Sequence, residues 1–94
     1  MLTIILKDLI KSLGKYNETL NVSFECKQIN SECKCVLMTD EELDKYDSSF
    51  TIGLYAITDI LENLRLQKED YSEGEAINAI NFYLQNDAFI DILN

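Results

Sequence analysis

The strongest constraint on the fold is a change in hydrophobic period near residue 20. From Leu20 to Cys26 apolar and polar residues alternate, which is typical of a half-buried strand. A second strand is predicted from about Glu32 to Met38, with the turn within residues 28–31. Two strands joined by so short a connection predict a β-hairpin. An isolated hairpin is only marginally stable in water, so the rest of the chain must cover it.

The charged residues of the hairpin favour one register. With the turn centred on residues 29–30, Glu25 faces Lys34 and Cys26 faces Cys33, and the charged pairs are opposite in sign. Moving the turn by one residue places two lysines opposite each other. Such a like-charged pair is unfavourable by roughly 0.2 to 1 kcal/mol, so the first register is predicted.

Outside the hairpin the apolar residues recur every three or four positions, which predicts helices. The predicted helices run from Leu2 to about Leu13, from Asp40 to about Tyr46, from Phe50 to about Leu66, and from near Glu73 onward with a break near Asn86 and Asp87. Thr39 with Glu42 and Ser72 with Glu75 have the spacing of capping boxes. Gly14 is in the position of a left-handed helix cap. Residues 50–57 are rich in β-formers, which leaves a third strand open.

The order of elements predicts a single α+β domain over residues 1–94. An N-terminal helix and a β-hairpin, with room for a third strand, would be covered by two or three C-terminal helices. A hydrophobic content of 47% is that of a folded chain. The apolar stretch Leu2–Leu6 ends at Lys7, far short of the roughly 20 residues that a membrane span needs. It also lacks the features of a secretory signal, so we expect a cytoplasmic protein.

The three cysteines, Cys26, Cys33 and Cys35, all fall on the hairpin. An odd number does not suit a secreted disulfide framework, and cysteine packs well as a small hydrophobe. We therefore expect buried core thiols in a reducing compartment. A zinc site is a weaker alternative because structural zinc prefers four ligands and the chain has no histidine. A redox or disulfide role is also open.

The net charge of −9 is concentrated in the second part of the chain. Residues 1–38 carry five bases and four acids, whereas residues 39–94 carry three bases and thirteen acids. Such a surface repels nucleic acid and anionic membranes and attracts basic protein surfaces. We therefore expect a basic protein partner, with no direct nucleic-acid or membrane binding.

Two acidic clusters, each with a tyrosine, are the candidate partner-binding sites. The first consists of Asp40, Glu41, Glu42, Asp44, Tyr46 and Asp47, and the second of Glu69, Asp70, Tyr71, Glu73 and Glu75. Aromatic residues among acids suit an interface with arginine, through stacking and cation–π contact. The alternative is two solvated helix faces with capping acids. An EF-hand is excluded because Lys45 replaces its glycine and Thr51 its last glutamate.

No catalytic constellation is present. Without histidine there is no Ser-His-Asp or Cys-His pair, and the three isolated glycines form no phosphate-binding loop. The clustered carboxylates lie on like-charged stretches rather than across a cleft. We therefore expect a protein that is not an enzyme and needs no cofactor.

In size, charge and lack of catalytic residues, the chain resembles phage and mobile-element inhibitors, such as anti-CRISPR and anti-restriction proteins, DNA mimics, and acidic immunity proteins. The resemblance implies an inhibitor of a nuclease or another basic nucleic-acid-handling protein, acting in the host cytoplasm. One alternative is a self-assembling structural or adaptor protein, a homo-oligomer that packs through its apolar C-terminal face around Phe82, Phe89, Ile92 and Leu93. Another is a ligand or metal sensor built on the cysteine hairpin.

Overall fold

A four-stranded antiparallel sheet is the centre of the computed structural model, which describes residues 1–26, 28–46 and 50–92. The strands are β1 (Leu2–Ile5), β2 (Asn21–Phe24), β3 (Lys34–Met38) and β4 (Thr51–Gly53), in the spatial order β1-β3-β2-β4. The helices are α1 (Leu6–Lys11), α2 (Asp40–Asp44), α3 (Leu54–Gln67) and α4 (Glu73–Asn86), with a single 3-10 turn at Leu13–Lys15. The predicted α+β fold is confirmed.

The predicted register of the hairpin is confirmed, but its turn is not the predicted one. Phe24 lies opposite Cys35, and the next residue along, Glu25, donates its backbone N–H to the Lys34 carbonyl at 2.8 Å. The chain reverses over residues 30–33, where the Cys33 N–H donates to the Asn30 carbonyl at 3.0 Å. The Asn30 side chain accepts from the Glu32 N–H at 2.9 Å, which stabilises this turn.

The prediction of a helix from Leu2 to Leu13 is wrong in its first part. Residues 2–5 form β1, which pairs with β3 so that Leu2 lies opposite Leu37. Three of these four residues are β-branched, and β3 would otherwise be an unpaired edge strand. The helix that follows ends at Lys11. Gly14 lies in the 3-10 turn, and no glycine in the described ranges has a positive φ, so it is not a left-handed cap.

The segment predicted as helix or strand contains both. Residues 51–53 form β4 beside β2, and the helix begins only at Leu54. Helix α2 ends at Asp44, two residues before the predicted end. Helix α4 starts at Glu73 as predicted and ends where Asp87 adopts a left-handed conformation with φ 52°.

One face of the sheet and the three longer helices enclose the main core. Alternate residues of the strands point into it, and α1, α3 and α4 each contribute an apolar face. The buried members include Leu6, Leu9, Val22, Phe24, Cys35, Leu37, Leu54, Ile57, Ile60, Leu61, Leu64, Ala76, Ala79 and Ile80. Helices α3 and α4 are in direct contact, and α4 contributes two alanines to the core. Small side chains at these positions allow a close approach.

The opposite face of the sheet is also covered. Ser23, Val36 and Met38 alternate along their strands with the residues of the main core and are buried as well. Helix α2 follows β3 and contacts it. Among the helices of the described ranges, none combines the length and apolar character that crossing a bilayer requires.

Candidate acidic interface

The first acidic cluster is built around a capping box at the start of α2. The Thr39 hydroxyl accepts from the Glu42 N–H at 3.2 Å, and the Glu42 carboxylate accepts from the Thr39 N–H at 2.9 Å. The same carboxylate pairs with the Met1 ammonium at 2.9 Å. These contacts, with the Thr39 N–H first, lower the pKa of Glu42. Glu42 therefore contributes to the fold through these contacts, and its role in partner binding stays a prediction.

The other members of the first cluster differ in whether their side chains make contacts within the fold. Asp40 accepts from the Asn21 side-chain amide at 2.8 Å, which fixes α2 to the start of β2. Glu41 and Asp44 are exposed, and no hydrogen bond or ion pair joins their side chains to the described part of the chain. Tyr46 is half-buried. Asp47, the last predicted member, lies outside the described residues.

The second cluster contains a capping box of the same kind at the start of α4. Ser72 and Glu75 exchange hydrogen bonds of 3.1 Å between side chain and backbone in both directions. Lys68 donates to the Glu75 carboxylate at 2.9 Å. The bond from Lys68 is the main reason that the pKa of Glu75 is lowered, and the same bond raises the pKa of Lys68. Glu75, like Glu42, makes contacts that stabilise the fold, and its role in partner binding stays a prediction.

The remaining members of the second cluster are more accessible. Glu73 pairs with Lys11 at 3.8 Å and so connects α4 to α1. Glu69 and Asp70 are exposed in the connection between α3 and α4. Tyr71 is half-buried and packs against the main core, so only part of its side chain is accessible to a partner.

The two clusters lie toward opposite ends of the sheet. Asn21 pairs with Met38 at one end of the β2–β3 ladder, and α2 begins just beyond that pair. At the other end, the hairpin loop and the start of α4 share a surface depression lined by Asn30, Ser31 and Glu73. The acidic surface is therefore distributed along the molecule and is not a single patch.

Tyr55 lies on the solvent side of α3, and its side chain is 59% exposed. The buried residues of α3 centre on Ile57, Leu61 and Leu64. Tyr55 comes two residues before Ile57, which is a rotation of about 200° around the helix axis, so the helical period of this segment indicates its exposure.

The expectation of three buried thiols is wrong for two of the cysteines. Cys26 and Cys33 form a disulfide, with Cα atoms 5.7 Å apart, a separation that the facing positions of a hairpin provide. Cys35 is free and buried, and burial raises the pKa of its thiol to about 12. The disulfide engages two of the three sulfurs that a metal sensor would use. In the described ranges no group of three candidate metal ligands comes together.

The apolar C-terminal face is partly covered by the chain itself. Phe82 is half-buried, and the ring of Phe89, though 45% exposed, lies 5.8 Å from that of Tyr83. The Gln67 side chain donates to the Ile90 carbonyl and accepts from the Ile92 N–H, both at 2.8 Å. Ile92 is half-buried against the main core. Leu93 lies outside the described residues.

Comparison with known proteins identifies a family without assigning a function. A family model described as "Domain of unknown function (DUF7716)" matches residues 2–92. No curated protein and no solved structure matches the chain. The family match includes every strand and helix of the fold. The chain therefore belongs to the DUF7716 family.

Proposed function

We propose that this protein is a small, acidic, non-enzymatic binding protein that occupies a basic surface on a nucleic-acid-handling protein and inhibits it. The observation that supports the proposal is that several exposed carboxylates form no ion pair with the described part of the fold. Glu42 and Glu75 are engaged in capping boxes, whereas Glu41, Asp44, and Glu69 face solvent without an ion pair to the described residues. These side chains can pair with cations of a partner.

The inhibition we propose requires no chemical reaction. Lysine and arginine side chains that bind phosphates can form charge-assisted hydrogen bonds with carboxylates, and arginine can do so with two parallel bonds. A partner whose cations are engaged in this way cannot hold a nucleic-acid backbone at the same time. The two clusters present negative charge at separate places along the fold, as a backbone of phosphates does.

The setting we propose is a phage or mobile element acting in the cytoplasm of a host cell, in the manner of anti-CRISPR proteins and DNA mimics. Disulfides are uncommon in that compartment. The proposal therefore requires that the protein binds its target with the Cys26–Cys33 bond reduced as well as oxidised. Target binding in the presence and absence of a dithiol reductant tests this requirement directly.

Affinity capture from host lysate, followed by mass spectrometry, tests the proposal. The bait proteins are the wild type, two cluster variants and a control. The cluster variants are Glu41→Lys with Asp44→Lys, and Glu69→Lys with Asp70→Lys. The control is Asp8→Lys with Glu18→Lys, which changes the net charge equally at exposed positions outside both clusters. None of these substitutions touches a capping box.

We expect the wild type and the control to capture one basic nucleic-acid-binding protein at about 0.1 M salt and to lose it at about 0.5 M salt, because salt screens exposed charges. At least one cluster variant should fail to capture it. The wild type should also displace nucleic acid from the purified target. Capture that survives in both cluster variants would remove the clusters as the site. Recovery of the bait alone would favour the self-assembly hypothesis, which mass determination would then examine.

A further inference from the structure

The solvent face of α3 carries four exposed residues in a single line, which we call the outer stripe. Its members are Tyr55, Asp59, Glu62 and Leu66. Their spacings of four, three and four residues place them within an arc of about 60° and over a length of about 16 Å. The buried residues of α3 lie on the opposite side of the helix. The outer stripe is thus a helix face with no intramolecular partner among the described elements.

The two ends of the outer stripe are apolar or aromatic. Leu66 is 85% exposed, which is the largest value among the large hydrophobic side chains of the described residues. Tyr55 is 59% exposed at the other end. A single exposed leucine needs no explanation. Two such side chains bracketing two carboxylates on one helix line form the type of surface that docks another helix.

Tyr55 lies against the backbone on one side, although its side chain is exposed. Its ring lies against Gly53, in the position that a side chain at residue 53 would occupy. The glycine at the junction of β4 and α3 therefore leaves room for the ring next to the backbone. An exposed aromatic side chain with a fixed position loses less entropy on binding than a mobile one.

The charges of the outer stripe argue against a second copy of this chain as the occupant. In an antiparallel pairing of two copies, Tyr55 would meet Leu66, but Asp59 would meet Glu62. In a parallel pairing each carboxylate would meet its own counterpart. Both arrangements place like charges together, and the net charge of −9 on each copy adds to the repulsion. Charge complementarity selects a cationic occupant.

We propose that the outer stripe docks an amphipathic helix of a basic partner protein. Lysine or arginine side chains of that helix pair with Asp59 and Glu62, and its apolar side chains pack on Tyr55 and Leu66. The inference rests on the proposed function as an acidic binding protein and adds an interface on α3, which adjoins the second acidic cluster where Leu66 and Glu69 line one surface depression. Arg65 is exposed beside the stripe. Its positive charge repels cations of the partner, so the basic side chains of the docked helix should lie on the other side of the stripe.

A defined peptide probe tests the inference without the natural partner. The probe is an amidated 18-residue helical peptide with the order Leu, Lys, Lys, Leu on one face. The spacings between these residues are four, three and four, as in the outer stripe. A scrambled peptide of the same composition is the comparison. Both are titrated into isotope-labelled protein, and amide chemical shifts report the affinity and the location of binding.

We expect saturable binding of the helical peptide with shifts confined to the surface of α3, and weaker binding of the scrambled one. Asp59→Lys with Glu62→Lys should reduce affinity about tenfold, which corresponds to two exposed ion pairs. Leu66→Ser should reduce it about threefold. Asp8→Lys with Glu18→Lys is the charge-matched control and should change affinity less than about twofold. Circular dichroism verifies that each variant is folded.

Equal binding of both peptides, equal losses in the stripe and control variants, or no binding at all would overturn the inference. Affinity capture of the natural target distinguishes failure of this inference from failure of the proposed function. If the cluster variants lose the target while the outer-stripe variants keep it, the proposed function stands and the inference fails. If the peptide binds the stripe but no basic nucleic-acid-handling protein is captured, the stripe stands and the proposed target class fails.

Discussion

Cys26 and Cys33 face each other across the hairpin and are joined by a disulfide, with their Cα atoms 5.7 Å apart. The loop that the bond closes is also attached to the start of α1. The Ser31 carbonyl accepts from the Lys7 N–H at 3.0 Å, and the Lys7 ammonium donates to Glu32 at 2.7 Å. The disulfide therefore stabilises the end of the sheet where the hairpin loop, α1 and α4 come together.

Replacing Cys26 with serine should lower the free energy of unfolding by about 2 kcal/mol, because the cross-link no longer restricts the unfolded chain. Urea denaturation monitored by circular dichroism measures the change. Treating the wild type with a dithiol reductant is the control and should shift its midpoint to that of the variant. Identical midpoints for the oxidised wild type, the reduced wild type and the variant would contradict the prediction.

The Cys35 thiol should be almost unreactive in the folded protein. Burial raises its pKa to about 12, so very little nucleophilic thiolate exists near pH 8. Titration with a disulfide reagent should find slow reaction in native buffer and one thiol in urea, since Cys35 is the free cysteine. After reduction in urea, all three cysteines should react. Three reactive thiols in urea without reductant would show that the Cys26–Cys33 bond is absent.

The pKa of Glu75 should be lower in the folded protein than its ordinary value of 4.5, chiefly because Lys68 donates a hydrogen bond to the ionised carboxylate. A lowered folded pKa adds stability above the unfolded value, and this stability is lost as the pH falls through the folded value. An NMR titration measures the pKa. Lys68→Met should raise it toward 4.5, whereas Lys45→Met, an equal change of charge directly after α2, should leave it unaltered.

Ala79→Leu should lower the free energy of unfolding by about 1 to 3 kcal/mol, because a larger side chain cannot fit into a well-packed core without displacing its neighbours. Ala79 is fully buried on the face of α4 that joins the core. The control is Ala88→Leu, the same substitution at an exposed position in the C-terminal tail. Thermal denaturation compares the two, and equal melting temperatures would argue against tight packing of α4.

Local signals in the sequence predicted much of this fold. The capping boxes at Thr39 and Ser72 depend on residues three positions apart, and the structure contains both of them. The hairpin register was predicted correctly because the charge pairing of Glu25 with Lys34 involves neighbouring strands. In each case the residues that determine the structure are close together in the chain.

Long-range pairing explains the elements that were not predicted. Residues 2–5 fit a helical period as well as they fit a strand, and only their pairing with β3 decides between the two. Residues 51–53 likewise form a strand because β2 has a free edge there. The facing positions of Cys26 and Cys33 were the available signal for the disulfide. The odd number of cysteines was taken as evidence against a disulfide, but an odd number is also compatible with one pair and one free thiol.

For the candidate site, composition predicted the acidic surface. It did not predict which acids make contacts within the fold and which remain exposed. Within each cluster the structure separates a capping glutamate from carboxylates that remain exposed. The spacing of the capping boxes identifies Glu42 and Glu75 as the capping residues. The exposure of Tyr55 and Leu66 follows from the helical period, because both residues lie on the side of α3 opposite to the buried Ile57 and Leu64.

The strand order β1-β3-β2-β4 has a consequence for how the chain folds. Only β2 and β3 are neighbours both in sequence and in the sheet, whereas β1 pairs with β3 through residues as distant in the chain as Leu2 and Leu37. Contacts between distant residues form more slowly than local ones. We therefore expect the sheet to grow outward from its central hairpin, with β1 pairing late although it is synthesised before β2 and β3. A nascent chain that ends before Lys34 contains no strand that β1 joins in the folded sheet.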